Sequence, residues 1–372
     1  MRSHHRVLAQ IVVGPVVLAY LGLLFYIYSP DESSAFQITE SAKSRARASV
    51  LGAFVGDAAS VPLHWFYDVK KLDEVLEGRS NPEFREPSAN PFYDIPTGSS
   101  SLYGDQALAM LESLVESNGL DTKDYAERLY KQFGPGTEYD NPENAKHGTD
   151  QDMQLPIKGP WKPQVIKHFE ANFIQKKAVT GSEVKRDMHA VCIVPPLVAK
   201  YAGDPDLLLK VKSAVEVTTV KEEAAVVAMA ATRLLEHYVL HGSDEKAVDK
   251  VIAELKNPDR RHPQAKDAEV ADELEIVLQA KEKSNREVAG EFGRSCNVPD
   301  AFKVAVHALI TKPDYTSAIR STLYAGGDCV SRAGFVGACK AAQNGVQVIP
   351  EDWKTKTFKY KKALELTDKL VK

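Results

Sequence analysis

From about residue 44 to the C-terminus, the chain carries apolar residues at helical spacing almost throughout. The alternation of apolar and polar residues that is typical of half-buried strands is nearly absent, and no repeat of fixed period occurs. Two long stretches interrupt the helices, residues 75–100 and residues 134–161. Irregular segments of this length in a compact domain are usually functional or disordered. The pattern therefore predicts a single all-α domain over residues 44–372, in which helix starts and long loops meet at one face.

Residues 7–29, VLAQIVVGPVVLAYLGLLFYIYS, form a strongly apolar run near the N-terminus. As a helix this run would be about 34 Å long, enough to cross the hydrocarbon core of a bilayer. Two arginines precede the run and two acidic residues follow it, a difference that favours a cytosolic N-terminus. We therefore expect residues 1–29 to form a hydrophobic helix that anchors a single-pass membrane protein, with the main domain on the lumenal side.

A cleaved leader is the competing interpretation of this segment. Ser33 and Ala35 are small residues at the right offset for cleavage before Phe36, as leader processing requires. The stretch that follows is rich in Ser, Ala and basic residues, as organelle transit segments are. In that case the domain would lie in an organelle lumen without an anchor. Residues 30–43 are expected to be a polar linker in either case.

Charge and cysteine content exclude two classes of function. The formal net charge is −4 and the basic residues are dispersed along the chain, which argues against a nucleic-acid partner. None of the four cysteines forms a CxxC pair, so they are interpreted as buried thiols. A zinc site is not indicated, because no Cys or His cluster has ligand spacing.

Two aspartates at the starts of predicted helices are candidate metal ligands. Asp105 lies in YGDQALAML, residues 103–111, and Asp328 follows two glycines in GGDCVSRAGFVGACKAA, residues 326–342. An aspartate at such a position is more often a helix cap, because its carboxylate accepts backbone N–H groups and complements the helix dipole. Both interpretations are open for each residue taken singly.

The neighbours of these aspartates favour a ligand role. Gly326 and Gly327 allow close backbone approach before the second helix, and Ser331 shares the helix face of Asp328. Asp57 lies in a third segment of small residues, LGAFVGDAAS. Acids that converge from different helices would suit a hard cation such as Mg²⁺, which prefers oxygen ligands.

Four segments resemble the motifs of a known family in order and spacing: GAFVGDAASVPLHWFYD, YGDQALAMLESL, AVCIVPPLVAKYAG and GGDCVSRAGFVGA. The family is the ADP-ribosylglycohydrolase superfamily, and the match is strongest to its crystallin J1 and selenoprotein J-like branch. The resemblance covers roughly residues 47–345. It implies an all-α fold and, in active members, two Mg²⁺ ions at helix ends and hydrolysis of ADP-ribose linkages.

The chain departs from the metal motifs of that family. Residues other than the usual ligands occupy four motif positions: His64, Tyr103, Gly104 and Val330. Three residues remain at positions that the resemblance assigns to metal ligands: Asp105, Asp328 and Ser331. Since Mg²⁺ uses imidazole poorly and can keep several water ligands, we expect one Mg²⁺ ion at most, in an incomplete site.

The resemblance suggests hydrolysis of ADP-ribosyl or related glycosidic bonds, with His64 as general base and either Asp105 or Asp328 orienting the sugar. The expected ligand-binding residues are Asp57, Tyr103, Gly104, Gly326 and Gly327. The partner would be an ADP-ribose-type small molecule or an ADP-ribosylated protein. The alternative is an inactive relative, either a crystallin-like structural protein or an ADP-ribose-binding protein that uses the same cleft.

Four side chains keep two interpretations each. His64 is followed by three aromatic residues, so packing explains it as well as catalysis does. His189 either faces the predicted cleft or is an ordinary histidine at a helix end. The rings of Tyr103 and Trp65 either stack on a ligand or belong to the core.

Overall fold

In the part of the chain that the structure describes, helices make up the regular structure, apart from one short pair of strands. The computed structural model describes residues 38–149 and 151–372. The helices of the first half are α1 (Glu40–Ser60), α2 (Val69–Leu76), α3 (Leu102–Glu116), α4 (Thr122–Phe133), α5 (Pro142–Lys146), α6 (Gln164–Ile174), α7 (His189–Cys192) and α8 (Val194–Tyr201). Those of the second half are α9 (Leu207–Glu216), α10 (Glu222–His241), α11 (Ala247–Lys256), α12 (Asp267–Gln279), α13 (Asn285–Phe292), α14 (Asp300–Thr311), α15 (Tyr315–Ala325), α16 (Cys329–Asn344), α17 (Glu351–Lys356) and α18 (Tyr360–Leu370).

The strands join the two long irregular stretches. Strand β1 (Tyr93–Asp94) pairs in parallel with β2 (Ile157–Lys158). Residues 38–372 form one structural unit, so the prediction of one predominantly helical domain is confirmed. The stretches around β1 and β2 lie side by side, as the prediction of long loops at one face requires.

The helices differ from the sequence prediction at both ends of the domain. The Thr39 hydroxyl accepts a hydrogen bond from the Ala42 backbone N–H at 3.2 Å, so α1 begins at residue 40 and residues 40–43 are helical rather than linker. Apolar spacing predicts one helix over residues 351–371, which the structure divides into α17 and α18. The backbone N–H of Phe358 donates to the carbonyl of Gly98 at 2.9 Å, which interrupts the helical hydrogen bonding at that point.

Helices α1 and α16 pack backbone to backbone at the centre of the domain. A Cβ atom added at Gly52 would overlap the carbonyl oxygen of Gly337, and one added at Gly337 would overlap that of Gly52. One turn further along, Gly56 has the same relation to Ala333. This antiparallel register brings the end of α1 beside the start of α16. The two motifs that contain Asp57 and Asp328 are therefore neighbours.

The predicted membrane localisation is corrected by the structure. Among residues 38–149 and 151–372, no helix is both long and apolar enough to cross a bilayer. The two longest helices, α1 and α10, carry acidic and basic side chains along their length. A single-pass membrane protein is therefore not supported. The apolar run at residues 7–29, on which both the anchor and the leader interpretations depend, lies outside the described residues.

Candidate functional site

The Asp328 carboxylate faces into the domain rather than capping α16. It makes no side-chain capping bond, although Asp328 stands at the N-cap position. Its Oδ1 lies 2.6 Å from Nε2 of His64. Its Oδ2 accepts from the hydroxyl of Ser331 and lies 3.5 Å from the hydroxyl of Tyr103. The side chains of His64 and Asp328 are both fully buried, so the capping interpretation of Asp328 is wrong.

His64 connects Asp328 to Tyr93. The Nδ1 atom of His64 lies 2.8 Å from the Tyr93 hydroxyl. Burial lowers the pKa of His64 and raises that of Tyr93, so a neutral imidazole accepts from the tyrosine and donates to Asp328. Neither ring nitrogen is then free to take a proton from water. The general-base role of His64 stays a prediction, and this geometry does not favour it.

A buried arginine balances the charge of Asp328. Arg332 is fully buried, and its Nε donates to the backbone carbonyl of Asp328 at 2.8 Å. A second guanidinium nitrogen donates to the carbonyl of Gly326. Burial alone would raise the pKa of Asp328, but the bonds from His64 and Ser331 and the charge of Arg332 outweigh it and lower the pKa. Asp328 is thus a carboxylate that the protein itself compensates.

Asp105 belongs to a different network. Its Oδ1 lies 2.5 Å from the ammonium group of Lys359, which directly precedes α18. Its Oδ2 accepts from the Tyr139 hydroxyl at 2.9 Å and from the Gln132 amide at 3.1 Å. The N-cap of α3 is Ser101, so Asp105 is not the cap either. A cation of the protein already neutralises this buried carboxylate.

Asp57 holds the start of α3. Its two oxygens accept from the backbone N–H of Ser101 at 2.8 Å and from the Ser101 hydroxyl at 2.5 Å. Burial raises the pKa of Asp57 to about 7. A Cβ atom at Gly104 would overlap the Asp57 carboxylate. An aspartate, which active family members carry at that position, therefore does not fit here unless Asp57 moves.

Two of the motif positions that have lost their acids, Gly104 and Val330, line a narrow and largely apolar cavity. Gly104, Val330 and Ser331 lie in its wall together with Asp57, and most of the remaining wall is apolar: Val50, Ala53, Phe54, Val191, Pro195 and Phe335. Such surroundings stabilise a hydrated dication poorly, because few oxygen ligands are within reach.

The donor set does not fit a Mg²⁺ pair. Asp105 and Asp328 share no hydrogen-bond partner, and each is neutralised by a cation or donors of the protein. Ser331 donates its hydroxyl to Asp328 and supplies no negative charge of its own. Within the part of the chain that the structure describes, no group of three or more His, Cys, Asp or Glu side chains is arranged to hold a metal ion. The predicted Mg²⁺ ion is not confirmed.

Gly326 and Gly327 form the turn between α15 and α16. Their φ angles of 72° and 68° lie in the left-handed region, which glycine adopts without strain. The backbone N–H of Gly327 donates to the carbonyl of Phe66 at 2.7 Å, and the N–H of Trp65 donates to the carbonyl of Gly327 at 2.8 Å. This turn fixes Asp328 and Trp65 relative to each other.

An open cleft with a volume of about 250 Å³ lies on one side of Tyr103. Its aromatic walls come from Trp65, Tyr67, Phe92, Tyr103, His147 and Trp161. Its polar lining residues include Lys185, Asp187, His189, Cys296 and Asn297. We call this the aromatic cleft. Both long irregular stretches contribute to it, since Phe92 precedes β1 and Trp161 follows β2.

The aromatic cleft contains two perturbed titratable groups on the approach to α7. Burial raises the pKa of Asp187 to about 7, and its carboxylate accepts the backbone N–H of His189 at 3.2 Å. Burial also lowers the pKa of His189 to about 3. The structure thus places His189 in the lining of a cleft. Groups with strongly shifted pKa values in a cleft are common at functional sites. Of the predicted ligand-binding residues, Tyr103 lines the same cleft.

Sequence reasoning missed four residues of these networks: Lys359, Arg332, Tyr93 and Asp187. Arg332 stands four residues after Asp328 on one helix face, which was an available signal. Tyr93 lies in a stretch whose length alone indicated function. Lys359 had no local signal, because its partner is 254 positions away.

Comparisons with known proteins agree on one family. The family model for ADP-ribosylglycohydrolase matches residues 38–372. Crystallin J1A of Tripedalia cystophora is 33% identical over 334 residues, covering 90% of this chain and 98% of the relative, and Crystallin J1B of the same organism gives the same figures. A solved structure of an ADP-ribosylglycohydrolase-related protein complex aligns with a TM-score of 0.58 at 19% identity, covering 90% of this chain and 99% of that one.

Proposed function

Because the chain belongs to the ADP-ribosylglycohydrolase family, we propose that it binds an ADP-ribose-type ligand in the aromatic cleft without a metal ion. One observation carries the proposal: the acids left at the metal positions are compensated by Lys359, His64 and Arg332, while the aromatic cleft, whose lining residue Tyr103 lies next to Asp328, is open. The ligand would be a free small molecule or an ADP-ribosyl group on a protein.

Electrostatics argues against a role for Mg²⁺ in this binding. A dication at Asp105 would have to displace an ammonium group that already lies 2.5 Å from the carboxylate. At Asp328 it would compete with the bond from His64 and lie close to the buried guanidinium of Arg332. Like charges at such distances in a poorly solvated interior repel strongly. A single Mg²⁺ at Asp105, Asp328 and Ser331 is therefore disfavoured.

The aromatic cleft has the chemistry for such a ligand. Its volume of about 250 Å³ is smaller than that of sites that enclose a whole small molecule, so the cleft would hold one part of the ligand, such as the base, and leave the rest at its open mouth. Aromatic faces such as those of Trp161 and Phe92 can stack on a nucleobase. Lys185 supplies a positive charge for a diphosphate, and Asp187 supplies hydrogen-bonding oxygens for ribose hydroxyl groups.

Calorimetric titration of ADP-ribose into the full chain tests the proposal. We expect binding that is equal with EDTA and with Mg²⁺, and that is weakened about 10-fold by Lys185→Met, which removes one charge facing the diphosphate. Lys212→Met, which removes a lysine outside the cleft lining, is the matched control. Absence of binding, or binding that requires Mg²⁺, would overturn the proposal.

A structural role without a ligand is the second candidate. It is supported by the 33% identity to Crystallin J1A over 98% of that protein. This role predicts no ADP-ribose binding under either condition of the titration. Glycosidic hydrolysis through His64 and Asp105 is the remaining prediction, and Mg²⁺-dependent release of ADP-ribose from a modified protein would support it.

A further inference from the structure

Two buried polar atoms in the lining of the aromatic cleft have no hydrogen-bond partner among the described residues. They are Nε1 of Trp65 and Nε2 of His189. Trp65 is 9% exposed and His189 is 1% exposed. A buried polar atom without a partner costs free energy, so native structures keep few of them. Their presence in one cleft points to a ligand that supplies the missing partners.

The tautomer of His189 follows from Gln106. The amide nitrogen of Gln106 donates to the backbone carbonyl of His189 at 3.3 Å and to the hydroxyl of Tyr125 at 3.0 Å. The amide oxygen of Gln106 therefore faces Nδ1 of His189, and an oxygen can only accept. The proton of His189 must be on Nδ1. Its Nε2 is a bare lone pair, and burial keeps the ring neutral by lowering the pKa of His189 to about 3.

The position of Trp65 is held by its backbone. Its φ angle is 65°, a left-handed conformation that bulky residues seldom adopt and that costs free energy. The backbone hydrogen bond to Gly327 keeps it there. Its ring packs edge to face against Trp161, with ring centroids 5.5 Å apart. Backbone strain that is kept in this way indicates that the position of the Trp65 indole N–H matters for function.

We propose that Trp65 and His189 form a donor and acceptor pair that reads the edge of an adenine-type base. The exocyclic amino group of the base donates to Nε2 of His189, and a ring nitrogen accepts from Nε1–H of Trp65. The aromatic walls cover the faces of the base. This assignment rests on the proposed function, since it names which part of an ADP-ribose-type ligand the cleft recognises.

The ligand chemistry follows from the complementary atoms. The pair requires one donor and one acceptor on a flat group, and an adenine edge carries both side by side. A purine without the amino group leaves Nε2 of His189 unpaired, which costs binding because both atoms are desolvated. A ribose hydroxyl can also donate and accept a hydrogen bond, but a sugar has no flat face to stack on the aromatic walls.

The test compares ADP-ribose with the analogue in which unsubstituted purine replaces adenine. We expect the full chain to bind the analogue about 10-fold or more weakly. His189→Asn keeps an N–H donor towards Gln106 but has no atom in place of Nε2, so it should bind both ligands equally. Trp65→Phe should weaken both ligands about 10-fold and keep the discrimination between them.

Trp353→Phe is the matched control, because Trp353 is a buried tryptophan that packs against Phe84 and Tyr315 outside the cleft lining. It should bind both ligands as the unaltered chain does. Equal binding of the two ligands by the unaltered chain, or unaltered discrimination in His189→Asn, overturns this inference and leaves the proposed function standing. Absence of ADP-ribose binding overturns both.

Discussion

The ion pair between Asp105 and Lys359 gives the most direct test of whether the protein itself neutralises its buried acids. The two charged groups lie 2.5 Å apart, with 2% of the Asp105 side chain and 30% of the Lys359 side chain exposed. Lys359→Met removes the cation and leaves a buried carboxylate with only its bonds from Tyr139 and Gln132. We expect this variant to be less stable than the unaltered chain.

The size of the effect follows from burial. Removing one partner of a fully buried ion pair costs about 3–5 kcal/mol. Lys359 is partly exposed and two hydrogen bonds to Asp105 remain, so we expect about 2 kcal/mol. For a domain of this length, whose unfolding entropy is about 0.7 kcal/mol per kelvin, that corresponds to a melting temperature about 3 °C lower.

The assay is a double-mutant cycle by thermal and urea denaturation. Asp105→Asn should remove most of the effect of Lys359→Met, with a coupling energy of about 1 kcal/mol or more. Lys362→Met is the matched control, because Lys362 pairs with Glu112 but is 55% exposed, and it should cost under about 0.5 kcal/mol. If the losses of unfolding free energy in the two single variants add up in the double variant, Lys359 does not neutralise Asp105. A Mg²⁺-dependent rise in the melting temperature of the unaltered chain would show that an ion binds there after all.

Three further predictions concern the other buried groups. Folding raises the pKa of Asp57 from 3.8 to about 7, so the stability that protonated Asp57 contributes is full below about pH 4 and is lost as the pH rises to 7. Between pH 4 and 8 the unfolding free energy of Asp57→Asn should therefore rise by up to about 4 kcal/mol relative to that of the unaltered chain. Equal pH slopes of the two proteins in urea unfolding would contradict this. Tyr93→Phe leaves Nδ1 of His64 without its donor and should lower unfolding free energy by about 1–3 kcal/mol, whereas an unchanged melting curve would show that the bond contributes nothing. Val330→Asp restores an acid of the family motif but puts a carboxylate into the narrow cavity, so the variant should lose several kcal/mol of unfolding free energy without gaining Mg²⁺ binding. Stabilisation of this variant by Mg²⁺ would show that the cavity can hold the ion.

Local signals predicted the helices well. Apolar spacing indicated almost every helix. An aspartate directly before such a segment predicts an N-cap, and the Asp121 carboxylate caps α4 by accepting from the N–H groups of Lys123 and Asp124. The boundaries that differed depend on distant contacts, as where Phe358 bonds to Gly98. The family motifs were also visible in sequence, since a motif is a set of residues at short spacing.

The sequence by itself therefore determined the helical domain, the family and the loss of carboxylates from the metal motifs. Only the tertiary structure decided what replaced them. His64 and Asp328 are 264 positions apart, and Asp105 and Lys359 are 254 apart. Helix formation depends on residues within about one turn of each other, whereas compensation of a buried charge depends on which groups meet in space. The state of each acid is thus a property of the packed domain.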